Sequence, residues 1–266
     1  MNNKIVLIAA LAAASFAQVG CNKDKINPNE KGSIGLHFDN RAGNMDLVLN
    51  NAQGYNTPLN QQISISTFDY YISNIQLTNK DGGVVTLAQS YHLVKESDAE
   101  SQEITLNDIP EGDYQSITFL VGVDSARSTM PIADRTGVLD PAGAGAGMYW
   151  SWNSGYIFVK LEGTSPQAPL DTTTNTRPLY YHVGGYGGYS SATINNLRTI
   201  TIPFGSDVEV RKDGEVSELH IYVDALKVIS GTTNVDFSTN PVAHFGTFSG
   251  NLANNYTQMF ALDHIH

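Results

Sequence analysis

The apolar residues of this chain fall on alternate positions in short runs, each closed by a cluster of Gly, Asn, Asp or Pro. Ile34, Leu36 and Phe38 alternate with Gly35 and His37, and Leu219, Ile221 and Val223 alternate with His220 and Tyr222. A period of two puts each apolar set on one face of a strand and the residues between on the other. His37 and His220 are therefore read on faces opposite their apolar neighbours, with His220 toward solvent. Residues 63–77 form a longer β-rich stretch whose alternation shifts at Tyr70-Tyr71, which predicts a bulge or a sheet corner there. Asn79-Lys80-Asp81-Gly82-Gly83 is a hairpin signal, with 84–87 and 91–94 as returning strands. Residues 104–106, 109–114 and 117–123 read as strand, turn, strand, with Pro110 and Gly112 in the turn. Further strands are expected at 156–161, 179–183, 197–202, 208–210 and 219–223. The Ala/Gly run 142–147 and the Gly-rich run 184–188 bury too little to be anything but loops. Residues 243–260 are expected to form a short closing helix.

About ten short strands without alternating amphipathic helices predict an all-β fold, a single antiparallel β-sandwich domain. The formal charge of −11 argues against a nucleic-acid partner, because an acidic surface repels phosphates. Cys21 is the only cysteine, so no intramolecular disulfide can form and no cluster of thiolates can hold zinc or iron–sulfur.

Cys21 also ends an address. Lys4 precedes an apolar stretch from Ile5 to Ala17, followed by Gln18-Val19-Gly20-Cys21 and a polar segment. The pattern resembles a bacterial lipobox, with Gln18 in place of the usual Leu. It predicts a signal peptide over 1–20, a lipidated Cys21, a tether over 21–31 and a folded domain over 32–266. The protein is then expected on a membrane outside the cytoplasm of a bacterium, at the outer membrane.

No nucleophile elbow, zincin, P-loop or dinucleotide fingerprint is present, and no carboxylate pair can be singled out. Asp124 and Glu162 lie in distinctive segments but read best as caps or surface charges. The chain is therefore read as a binding protein, not an enzyme. Seven histidines remain, at 37, 92, 182, 220, 244, 264 and 266. Neutral imidazole is a ligand for copper and other late transition metals. His264 and His266 are expected to lie in a frayed end. Trp150 and Trp152 stand together in the segment 147–163, where Met148, Trp150 and Trp152 would share one face of an extended chain. That segment reads as a core strand or as an aromatic wall over a pocket.

Six segments in order resemble the MbnP family, the methanobactin-associated lipoproteins related to the copper-repressed CorA and MopE proteins. They are His37-Phe38-Asp39-Asn40, the run Tyr70 to Leu77, Ile109 to Tyr114, Gly122-Val123-Asp124-Ser125, Gly147 to Gly163, and Tyr181 to Gly185. The resemblance spans residues 32–262. It implies a β-sandwich and a copper-linked role. In methanotroph members, histidines and a kynurenine made from tryptophan hold copper(I), and a di-haem peroxidase of the MbnH type makes that modification. His37 matches a ligand position, with His92 a second candidate and His182 a third beside its Gly-rich loop. The family pattern places a tryptophan two residues before its ligand histidine, where this chain has Gly35. Trp150 and Trp152 do not fill that place in sequence. The alternative function is a surface module that binds a glycan or protein through the Trp- and Tyr-rich loops.

Overall fold

The computed structural model describes residues 26–87, 89–151 and 155–266. Cys21, the signal segment, the first five residues of the tether and Trp152 lie outside the described residues. Strands far outnumber helices. They are β1 (Lys31–Ala42), β2 (Met45–Asp46), β3 (Tyr55–Asn56), β4 (Gln62–Asn79), β5 (Val84–Thr86), β6 (Tyr91–Lys95) and β7 (Glu103–Pro110). After these come β8 (Gly112–Val121), the short helix α1 (Ser125–Ser128), β9 (Ile157–Thr164), β10 (Pro178–Gly184), β11 (Arg198–Val210) and β12 (Ser217–Asp224). The chain continues through β13 (Val242–Ala243), helix α2 (Thr247–Tyr256) and β14 (Phe260–Ile265).

Two sheets pack face to face. The first runs β14-β12-β1, with β7 and β2 along the far side of β1. The second follows the path β11-β8-β4-β9-β10-β13, and β4 also pairs with β3, β5 and β6. Ile34, Leu36 and Phe38 of β1 and Leu219, Ile221 and Val223 of β12 point inward and are buried. They meet Tyr70, Ile72, Phe119 and Val121 of the second sheet in one core. The sandwich is mainly antiparallel, but β1–β12 and β10–β13 are parallel pairs.

Several local expectations hold for visible reasons. At the 79–83 hairpin the Asn79 side chain accepts from the backbone N–H of Asp81 and of Gly83, and Gly82 takes φ +82°. The Gly-rich loop needs its glycines: at Gly188, φ is +90° and a Cβ would lie 2.0 Å from the Ser191 carbonyl oxygen. Irregularities of β4 flank Tyr70-Tyr71, one between Ile65 and Thr67 and one between Ser73 and Gln76, where Asn74 has φ +52°.

Others are corrected. Residues 104–121 form the expected strand, turn and strand, but the two strands do not pair with each other. β7 belongs to the first sheet and β8 to the second, so the chain crosses between layers at Glu111. The Tyr114 hydroxyl donates back to the Pro110 carbonyl at 2.8 Å and pins that corner. The closing helix spans only Thr247–Tyr256, and a strand follows it. Phe260 of that strand is buried against Phe119, with ring centroids 5.0 Å apart, so core packing draws the end of the chain into the first sheet.

The tryptophan segment is also rearranged. The Trp150 backbone N–H donates to the Gly155 carbonyl, and the core strand begins only at Ile157. Met148, Tyr156 and Phe158 join Tyr71, Leu93, Val123, Leu139 and Tyr186 in a second, smaller core. Tyr71 and Tyr156 stay buried because their hydroxyls donate to the Val138 and Leu139 carbonyls, both at 2.7 Å.

Candidate metal centre

Cross-strand register decides which outward side chains of the first sheet become neighbours. His37 is paired with His220 across β1–β12, His220 with His264 across β12–β14, and His37 with Glu103 across β1–β7. One row perpendicular to four strands therefore reads His264, His220, His37, Glu103. The adjacent row reads His266, Glu218, Gly35, Thr105: Glu218 and His266 exchange both backbone hydrogen bonds, and Gly35 pairs with Glu218 and Thr105. Six donor side chains thus share one outer patch because four strands align, with a register shift in β14 between Leu262 and His264.

The rings touch. The His220 centroid lies 4.3 Å from His264, 4.9 Å from His266 and 4.7 Å from His37. His264 and His266 centroids are 4.5 Å apart. One ligand atom from each of His220, His264 and His266 lies within 4.8 Å of the other two, and the same holds for His37, Glu103 and Glu218. Burial, together with repulsion from His37 and His264, lowers the pKa of His220 and favours the neutral imidazole that a metal requires. The Asp263 carboxylate meets His264 Nδ1 at 2.6 Å. A carboxylate behind one ring nitrogen orients a ligating histidine toward its metal.

The structure does not bring His37 together with His92 or His182. His92 is on β6 of the second sheet and lines a separate cleft of about 510 Å³ between β5, β6 and β7. Burial alone lowers its pKa. His182 on β10 faces His244, with centroids 4.8 Å apart, and its Nε2 meets Glu162 at 2.7 Å. Burial raises the Glu162 pKa, but the bond from His182 and the charge of Lys160 outweigh it and hold the carboxylate below its ordinary range. His264 and His266, expected to fray, sit at a hydrogen-bonded strand end. Their spacing in His264-Ile265-His266 is the signal of two outward imidazoles on one strand, which reading the segment as a frayed end discards.

Asp124 is spent on structure. It caps α1 through the Arg127 N–H and accepts from the Tyr91 hydroxyl and the Asn74 amide. Trp150 is half-buried against the second core, and its ring lies where a Cβ at Gly184 would clash. The aromatic cleft beside it, lined by Tyr149, Tyr186, Tyr189 and Arg135, encloses about 200 Å³. That is below the ~300–1,000 Å³ usual for ligand pockets. No helix among the described residues is long and apolar enough to cross a membrane.

The family model described as MbnP matches residues 31–246. A solved structure, MbnP from Methylosinus trichosporium, superposes with a TM-score of 0.52 and 15% identity, covering 82% of each chain. At that identity the likeness shows the fold. No match is found among curated proteins.

Proposed function

The chain belongs to the MbnP family, and on that premise we propose that it is a membrane-anchored, extracytoplasmic protein that binds copper(I) through His220, His264 and His266. The observation that carries the reading is the convergence of three imidazoles from β12 and β14 within 4.8 Å. Copper(I) is a soft ion that suits imidazole and sulfur donors better than carboxylates. No thiolate competes, since Cys21 is the only cysteine. His37, the position singled out by the family resemblance, stands beside the set, its ring tilted 33° to that of His220 at 4.7 Å. The reading needs no oxidised tryptophan and therefore no di-haem peroxidase partner. Gly35 stands two residues before His37, and Trp150 packs at Gly184, on the other sheet. The role is binding, with copper as the bound group rather than an agent of catalysis.

Competition with a copper(I) chelator tests the site. His264→Ala with His266→Ala is expected to weaken binding at least ~30-fold, about 2 kcal/mol. His92→Ala and His182→Ala are expected to leave it within threefold. Binding should also weaken below pH ~6.5, as protons compete for imidazole nitrogen. Wild-type affinity in the double variant, or a loss confined to His182→Ala, would overturn the assignment.

The anchor is a separate part of the proposal. It rests on the lipobox-like Gln18-Val19-Gly20-Cys21 after an apolar stretch. Acyl chains on Cys21, at ~0.8 kcal/mol per buried CH₂, would hold the protein on the bilayer. Cys21→Ser is expected to move it from the membrane fraction to the soluble one. A wild-type protein already soluble would contradict the anchor and leave the copper site untouched.

A further inference from the structure

We propose that His37, Glu103 and Glu218 form a second metal site, which takes a divalent transition-metal cation. The donors come from three adjacent strands, β1, β7 and β12, and one ligand atom from each lies within 4.8 Å of the others. His37 Nδ1 already meets the Glu103 carboxylate.

Gly35 makes the third donor available. It shares the outer face of β1 with His37 and is paired with Glu218. A Cβ at Gly35 would lie 3.3 Å from Glu218 Cγ, tighter than ordinary contact. The missing side chain is thus the space over which Glu218 leans toward His37. A larger residue at 35 would push that carboxylate away.

Charge points the same way. Among the described residues, neither carboxylate has a Lys or Arg ion partner. Glu103 meets only His37, and Glu218 only His220 at 3.8 Å. Two carboxylates converging without a fixed cation are stabilised by a bound positive ion, and a divalent ion neutralises both. One imidazole with two carboxylates is a donor set for zinc(II) and similar ions, and leaves coordination positions for water. Calcium is disfavoured because it takes six to eight oxygens, and copper(I) because carboxylates suit it poorly. The two donor sets on this patch therefore select different ions, and this site does not depend on the copper reading.

The test uses zinc(II) as probe in the full chain carrying His264→Ala and His266→Ala, so that the imidazole set does not contribute. Calorimetry is expected to show one equivalent bound, with no heat from calcium(II). Adding E103Q or E218Q should weaken zinc(II) at least tenfold and abolish the visible d–d bands of cobalt(II) bound in its place. In the otherwise wild-type chain, E103Q, which touches only His37, should leave copper(I) competition unchanged. Absence of zinc(II) binding in the double variant, or undiminished binding in both glutamine variants, would overturn the proposal. An unmutated chain that binds zinc(II) but not copper(I) would count against the copper site alone.

Discussion

Replacing Phe119 with Ala is expected to lower unfolding stability by about 3–5 kcal/mol. Phe119 is wholly buried on β8. Its ring meets Phe260 of β14 edge-on at 5.0 Å and Phe38 of β1 at 6.5 Å. One side chain of the second sheet therefore packs on two strands that carry metal donors on the first. Truncation removes the transfer energy of the ring and leaves a cavity whose walls, held by two sheets, collapse only partly. The edge-to-face contacts add about 0.5–1.5 kcal/mol per pair. Denaturant titration should show a lower midpoint with an unchanged slope. Phe119→Leu, which keeps most of the volume, should cost clearly less. A loss below about 1 kcal/mol for the alanine variant would mean that the sheets are not joined through this ring.

Asp69→Asn is expected to stabilise the protein by about 2–3 kcal/mol at pH 7. Asp69 lies mid-strand on β4, between Lys160 of β9 and Lys95 of β6. Burial raises its pKa from 3.8 to about 6, more than the two lysines draw it back. The folded state therefore holds this proton more tightly than the unfolded chain does. The cost of ionising it is absent below pH ~4, grows as pH rises toward 6, and is complete above that. Asparagine removes the cost, so the gain over wild type should be full at pH 7–8 and vanish near pH 4. Paired denaturant titrations across that range give the difference directly. A variant less stable than wild type at pH 7 would show that the lysine contacts outweigh the desolvation.

Much of this architecture is legible in the sequence because alternation is a local signal. The inward triad of β1 and the outward position of His37 follow from five consecutive residues. The Asn79–Gly83 turn follows from residue types with one mechanism each. The centre itself is a different matter. A period of two states which face a residue takes, but not which strand lies beside it. His37 and His220 are 183 positions apart in the chain and become neighbours through the parallel register of β1 and β12. His264 and His266 were unreadable as donors because β14 exists only by virtue of Phe260 entering a distant core and β12 offering an edge. The same limit made His92 and His182 plausible partners of His37, when each has its own surroundings on the second sheet. Gly35, where the family resemblance expects tryptophan, matters through Glu218, which only the register places opposite it.

Anomalous diffraction at the copper edge, from crystals of the copper(I)-loaded protein, tests the central claim most directly. The account predicts one copper peak on the outer face of the first sheet, bonded to nitrogens of His220, His264 and His266. A peak between His182 and His244, or at His92, or none on the first sheet, would contradict it.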